Sequence, residues 1–287
     1  LFISYRTLNF CDMTVDGAFP LGGCVLAVCL VNGIPPFFAV VLAFLAGCLA
    51  GFFTSLLYTK LRIPDLLAGI LMMTMLYSVN LRIMGNRANI SLLRIPTPFS
   101  KLMDFSSRVF PSLPSETGIL IFLLAFILIF KALLDIFFHT DLGLTMGALG
   151  SNEQMVISQG VNQKIVRGIG VCVGDGLASL SGAFAAMYNG FADVGSGTGV
   201  IVSGLASLMI GEFIIRSNKI TWITLRVLLG SVIYRGLMFL ARRYGHFINL
   251  TPNDLKLITG LLIIVCLIVA NLKGKANFMK HLKRPLK

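Results

Sequence analysis

Charge is what this 287-residue chain lacks: Asp, Glu, Lys and Arg together supply 13% of it, where soluble domains carry about 25%. That shortage excludes an ordinary soluble globular protein. The six cysteines (Cys11, Cys24, Cys29, Cys48, Cys172 and Cys266) form no CxxC pair and lie in or beside apolar segments. They read as small buried hydrophobes, which excludes a disulfide framework and a zinc site. The histidines, His139, His246 and His281, are too scattered in sequence to suggest a metal cluster. No Gly-x-x-x-x-Gly-Lys-Ser/Thr string occurs, so the chain cannot supply its own ATP site by that motif.

What it has instead is apolar length. Hydrophobic residues make up 56% and the mean hydropathy is +0.87. Ile34–Leu57 and Leu257–Leu272 contain no charge; the first exceeds the ~20 residues that cross a bilayer and the second spans with help from its flanks. The pattern recurs along the whole chain, unlike a signal peptide. Leu1 already lies in an apolar run, and we read it as the rear of a first membrane helix. The net charge of +12 points away from nucleic acid, because its distribution is that of a membrane protein. Lys273, Lys275, Lys280, Lys283, Arg284 and Lys287 follow the last apolar run with no acid among them, which places the C-terminus in the cytoplasm.

Counting back from that tail gives an alternating topology. Spans are expected near Ala18–Asn32 (short), Ile34–Tyr58, Pro64–Ile83, Gly118–Phe138, Val166–Asn189, Gly199–Ile215, Ile220–Ala241 and Asp254–Asn271. Arg216 and Lys219, like Lys60 and Arg62, then fall inside. The basic stretch Asn86–Thr117 and the pair Arg242 and Arg243 fall outside, against the charge rule, which is statistical. Pro35, Pro36, Pro64 and Pro252 stand at span entrances, where a missing N–H costs little. Pro96, Pro98, Pro111 and Pro114 stud the external segment 84–117, predicting irregular structure with at most short helices. No separate soluble domain fits. The chain reads as one transmembrane domain over 1–287, with a cytoplasmic segment at 140–165.

Three stretches carry the information. The first is "LNFCDMTVDGAFPLGG", which sets Asn9, Asp12, Thr14 and Asp16 beside Gly17, Gly22 and Gly23. It is either a loop wetted at the membrane surface or a break in a membrane segment; polar side chains and glycines suit the break. Asp16 stands at the helix start, where a carboxylate is favourable. The second is "GVCVGDGLASLSGAFAAMYNG". Gly170, Gly174, Ala178, Gly182, Ala186 and Gly190 recur every four residues, a ridge that lets another helix approach closely. Gly199, Ser203, Ser207 and Gly211 repeat the device. Asp175 lies inside the first ridge, where an ionisable group is a functional candidate by default. It faces either a hydrated cavity or a partner such as Arg226 or Arg235, which could instead snorkel to the membrane faces. The third is "TMGALGSNEQMVISQGVNQKI", mildly amphipathic, with Asn152 placed to cap a short helix holding Glu153 and Gln154.

These stretches, with "VIYRGLMFLARRYG" and "TPNDLKLITGLLIIV", resemble the permease subunits of bacterial ABC importers. The likeness runs over nearly the whole chain and is nearest to the branch of branched-chain amino acid, ribose and tryptophan/tyrosine permeases. The resemblance implies an all-α bundle of about eight spans with a short or broken second helix, in the bacterial inner membrane. It implies a coupling helix at Ala148, Gly150, Asn152, Glu153, Gly160, Val161 and Asn162 that docks on a separate ATP-binding cassette subunit. It implies a translocation route lined by Asn9, Asp12, Thr14, Asp16 and Gly17, to which the intramembrane carboxylate of Asp175 is added from its position; helix packing through Gly170, Gly174, Ala178, Gly182, Ser203 and Ser207 follows from their spacing. A second permease copy and an extracytoplasmic binding protein would complete the assembly. ATP and Mg belong to the partner, so this chain is expected to hold no cofactor and no catalytic residue. Many relatives carry arginine at the position of Gly147 and asparagine at that of Asp175.

Two rivals remain. Intramembrane carboxylates and broken helices also suit an ion-coupled transporter with no ATPase partner. An intramembrane aspartyl protease would need Gly-x-Gly-Asp, but residue 172 is Cys. Leu180-Ser181-Gly182 lies inside a membrane helix and is no ABC signature loop.

Overall fold

The computed structural model describes residues 1–93, 95, 97–99, 117–215, 220–244, 257, 259–261 and 264. Outside these lie Pro96, Pro111, Pro114, Arg216, Lys219, His246, Pro252, Cys266, His281, nearly all of the expected last span and the basic tail. The chain opens with a π-helical turn, Phe2–Thr7, and continues irregularly to α1, Val15–Val31. Then come α2 (Pro36–Thr59), α3 (Asp65–Ile83), β1 (Asn89–Ser91) and α4 (Thr117–His139). Next are α5 (Asp141–Ser151), α6 (Glu153–Ser158), α7 (Gln163–Asn189) and β2 (Phe191–Asp193). A 3-10 turn at Val194–Gly197 precedes α8 (Val200–Ile214) and α9 (Ile220–Tyr244). Among the described residues 6 helices are long and apolar enough to cross a membrane, and α1 is a shorter apolar one. The fold is a polytopic helical bundle, and its spans fall within a few residues of those expected.

The chain divides into two compact units, Leu1–Val200 and Ile201–Lys287. In the first, α7 is the central helix because small residues bring two neighbours against its backbone. A Cβ at Gly182 would collide with the carbonyl oxygen of Phe19 in α1, and one at Gly22 with that of Ser179 in α7. On the other flank a Cβ at Gly51 of α2 would lie 2.7 Å from the Cys172 Cα. Ser179 Oγ donates to the Ala43 carbonyl at 2.6 Å, fastening α7 to α2. Without a hydrophobic drive between helices in lipid, such close contact is what holds them.

Pro20 stands inside α1. Lacking an N–H, it leaves the carbonyl of Asp16 without its helical partner, and Gly197 of the 3-10 turn packs at that carbonyl. β1 pairs antiparallel with β2, Ile90 opposite Ala192, a strand the proline-rich reading of 84–117 did not foresee. The C-terminus of α7 closes on Gly190 at φ 75°, a left-handed cap that favours glycine.

In the second unit, α8 and α9 cross at small residues. Gly211 abuts the Arg226 backbone, and a Cβ at Gly230 would lie 2.9 Å from the Gly211 Cα. Ala206, Ile210 and Tyr234 form the apolar cluster there. Arg226 pairs with Glu212 at 3.2 Å.

Candidate functional site

Residues 8–14 answer the question posed by the opening motif. They are non-helical yet largely buried: Leu8 is 0% exposed, Phe10 3% and Asp12 5%. Non-helical backbone at such depth must find partners for its freed polar groups, and most of them are side chains or the π-turn. Phe10 N–H donates to the Ser4 carbonyl at 2.9 Å, Cys11 N–H to Asp65 Oδ2 at 3.1 Å and Thr14 N–H to Asp12 Oδ1 at 3.0 Å. Ser4 Oγ donates to Asp12 Oδ2 at 3.2 Å. The hydroxyls of Thr14 and Thr54 share a 2.9 Å hydrogen bond, tying the break to α2. Asn9 takes φ 50°, a left-handed conformation that asparagine tolerates better than most residues. It is exposed, whereas Asp12, Thr14 and Gly17 are packed inside.

Two acids behave differently. Asp16, in the first turn of α1, accepts from Gly199 N–H at 3.1 Å and so links that helix start to the segment after the 3-10 turn. Asp175 on α7 is fully buried, and among the described residues neither carboxylate oxygen has a hydrogen-bond partner. Its carboxyl lies within electrostatic reach of Asp12. The partner suggested for it in sequence, Arg226, is engaged with Glu212. Asp65 and Asn80, which donates to the Gly17 carbonyl at 3.3 Å, were missed in the sequence. Their signal was weak, because a polar residue at a helix start or end is ordinarily just interfacial.

Residues 140–165 resolve into α5, α6 and the start of α7, each with a side-chain cap. Thr140 Oγ1 accepts from Gly143 N–H, Asn152 Oδ1 from Met155 N–H and Asn162 Oδ1 from Lys164 N–H, at 3.3, 3.2 and 3.0 Å. Gly160 turns the chain at φ 80°. Met146, Leu149 and Val156 are buried on the inner face, while Met155 and Ile157 are exposed on the outer. Ala148 and Val161 are half-buried. Gly150 faces inward: a Cβ there would collide with the Thr7 carbonyl. Gly147 has open space around its Cα, so a long side chain would fit there.

Helix α7 packs closely on the opening residues. A Cβ at Gly170 would meet Leu8, and lie 3.5 Å from Met146 Sδ; a Cβ at Gly174 would lie 3.0 Å from Ser4 Oγ. Separately, Glu153 pairs with Arg167 at 2.9 Å, Arg167 donates to the Tyr58 hydroxyl, and Tyr58 packs edge-on against Phe10 at 5.3 Å. Ala178 is half-buried on α7, and Ser207 Oγ donates to the Ser203 carbonyl at 2.8 Å within α8.

Six long apolar helices and a shorter one among the described residues are the architecture of a multi-pass membrane protein. Residues 1–268 match the family described as branched-chain amino acid transport system, permease component, and the chain belongs to that family. It is therefore the permease component of an ABC-type amino acid transport system and not itself the catalyst. It is 40% identical over 272 residues to a tyrosine transport system permease protein of Clostridioides difficile (strain R20291), covering 95% of this chain and 86% of the relative. An uncharacterised protein of Rickettsia prowazekii (strain Madrid E) is 35% identical over 267 residues, 93% of this chain and 90% of the relative. No solved structure matches.

Proposed function

We propose that two copies of this chain form the membrane pathway of an ATP-driven importer for an amino acid of the aromatic class. The aromatic substrate rests on the name of the C. difficile relative. A separate cassette subunit binds ATP and Mg, docks on the face carrying Met155 and Ile157, and an extracytoplasmic binding protein delivers the solute. The C-terminus lies in the cytoplasm. One observation supports the mechanism: α5 packs on the π-turn through Gly150 on Thr7, and α6 is linked to the non-helical segment by the path Glu153–Arg167–Tyr58–Phe10. A push on α6 therefore moves Phe10 and its neighbours without an intervening hinge. Asp12, Thr14 and Gly17 lie where that motion would rearrange the route, with Asp16 and Asn9 at its rim.

Mild-detergent extraction of the tagged chain, with mass spectrometry and an ATPase assay, tests this. Co-purification of a cassette subunit whose ATP hydrolysis rises with tyrosine and binding protein is expected. A chain that transports in vesicles on an ion gradient, with no ATPase partner and no ATP requirement, would sink the proposal and turn attention to Asp12 and Asp175.

A further inference from the structure

A pocket of about 410 Å³ opens where the C-terminus of α2 meets the N-terminus of α7, at the end of the first unit that carries α6. Its volume lies within the ~300–1,000 Å³ common for ligand sites. Six of its residues do the chemistry: Tyr58, Thr59, Arg62, Gln163, Lys164 and Arg167. Three are cations, and only Arg167 is matched, by Glu153. Among the described residues neither Arg62 nor Lys164 pairs with a carboxylate. The nearest acid in sequence to Arg62, Asp65, accepts from the backbone N–H groups of Cys11 and Leu66. The N-terminus of the 27-residue α7 opens onto the same space and adds its own positive dipole end.

Arg167 Nε and Gln163 Oε1, closed off from solvent and with no hydrogen-bond partner among the described residues, do not face this space, so the pocket's own chemistry is cationic. Arg62 is held at φ 55°, unusual for a residue with a side chain. Leu61 and Ile165, flanking the pocket in sequence, are 60% and 59% exposed. A basic pocket between spans, bordered by bare apolar side chains, suits an anionic headgroup with its chains in lipid.

We propose that this pocket binds a phosphate-bearing anion, held by Arg62, Lys164 and Arg167. Because Arg167 also grips Glu153, the bound anion competes for the contact that pins α6, and occupancy tunes coupling. The site is independent of which solute the permease carries.

The test uses the full-length permease in mild detergent, read by native mass spectrometry and by thermal midpoint. The probes are phosphatidylglycerol, phosphatidylcholine and inorganic phosphate. Retention of phosphatidylglycerol over phosphatidylcholine is expected, weakened about fivefold for each of Arg62→Asn and Lys164→Gln, from the usual contribution of one basic side chain near an anionic headgroup. Stabilisation by inorganic phosphate alone, lost in the same variants, would support the site and assign its source to soluble phosphate. Asparagine suits the left-handed position and Lys164 is exposed; should Arg62→Asn not fold, Lys164→Gln alone must show its fivefold loss. Lys60→Gln, which removes an exposed cation outside the pocket, keeps full binding. Equal binding by wild type and variants, an equal loss in Lys60→Gln, or no response to either phosphatidylglycerol or phosphate overturns the proposal.

Discussion

Helices α4 and α7 are both long enough to span a membrane, yet they are opposite kinds of object. Of the most apolar stretch of α7, 56% is buried inside the protein; of α4, 6%. The greasier helix is the peripheral one. α4 presents Ile121, Leu124, Leu128 and Ile129 outward, where lipid tails are as good a partner as protein. α7 exchanges such side chains for glycine, alanine and serine, because close approach of backbones is what holds helices together in lipid. Even charge follows the division. In α4, Lys131 meets Asp135 one turn away at 2.6 Å, so the helix settles its own charge. In α7, Asp175 settles nothing within its helix and sits against the segment that breaks the bundle's regularity.

Several substitutions would break or sharpen this contrast. Gly182→Leu should have the largest effect, since its first new atom collides with the Phe19 carbonyl. Overpacking of about 3 kcal/mol or more should leave little folded permease on size-exclusion chromatography. Unchanged elution and transport would show that α1 and α7 can separate freely. Asp175→Asn should raise the thermal midpoint, because it removes a fully buried acid that lies within electrostatic reach of Asp12 while keeping its shape; a lower midpoint would mean the carboxyl has a partner in the working assembly. Arg167→Met should cost about 1 kcal/mol or less of stability, its partner Glu153 being 43% exposed at the side chain. It should nevertheless cut solute-stimulated ATP hydrolysis while leaving cassette binding intact. Normal stimulation would show that force reaches Phe10 only through Gly150 and Thr7. Ile129→Ala on α4 should be smallest, within about 0.5 kcal/mol, and a large loss there would reveal a protein partner on that face.

The sequence made one side of this contrast plain and half hid the other. Apolar length made the described spans legible to within a few residues, since crossing a bilayer sets a length that composition cannot disguise. The four-residue ridge located Gly170, Gly174 and Gly182 on α7. It did not reveal the second seam, where Cys172 and Ser179 meet Gly51 and Ala43 of α2, because those positions fall between the beats of the repeat. Asn152 was legible as a cap because capping is local chemistry. Gly150 was not: its inward face against Thr7 depends on how distant segments come together. Asp65 and Arg167 were invisible for the same reason, each acting on a residue far off in sequence.

The small strand pair also anchors the far end of α7. α7 is 27 residues long, about 40 Å at 1.5 Å per residue. At its start Arg167 grips α6, and at its end Phe191–Asp193 is stitched to Asn89–Ser91. The helix is thus a push-rod with a clasp at each end. A tilt of α7 would therefore carry both clasps with it.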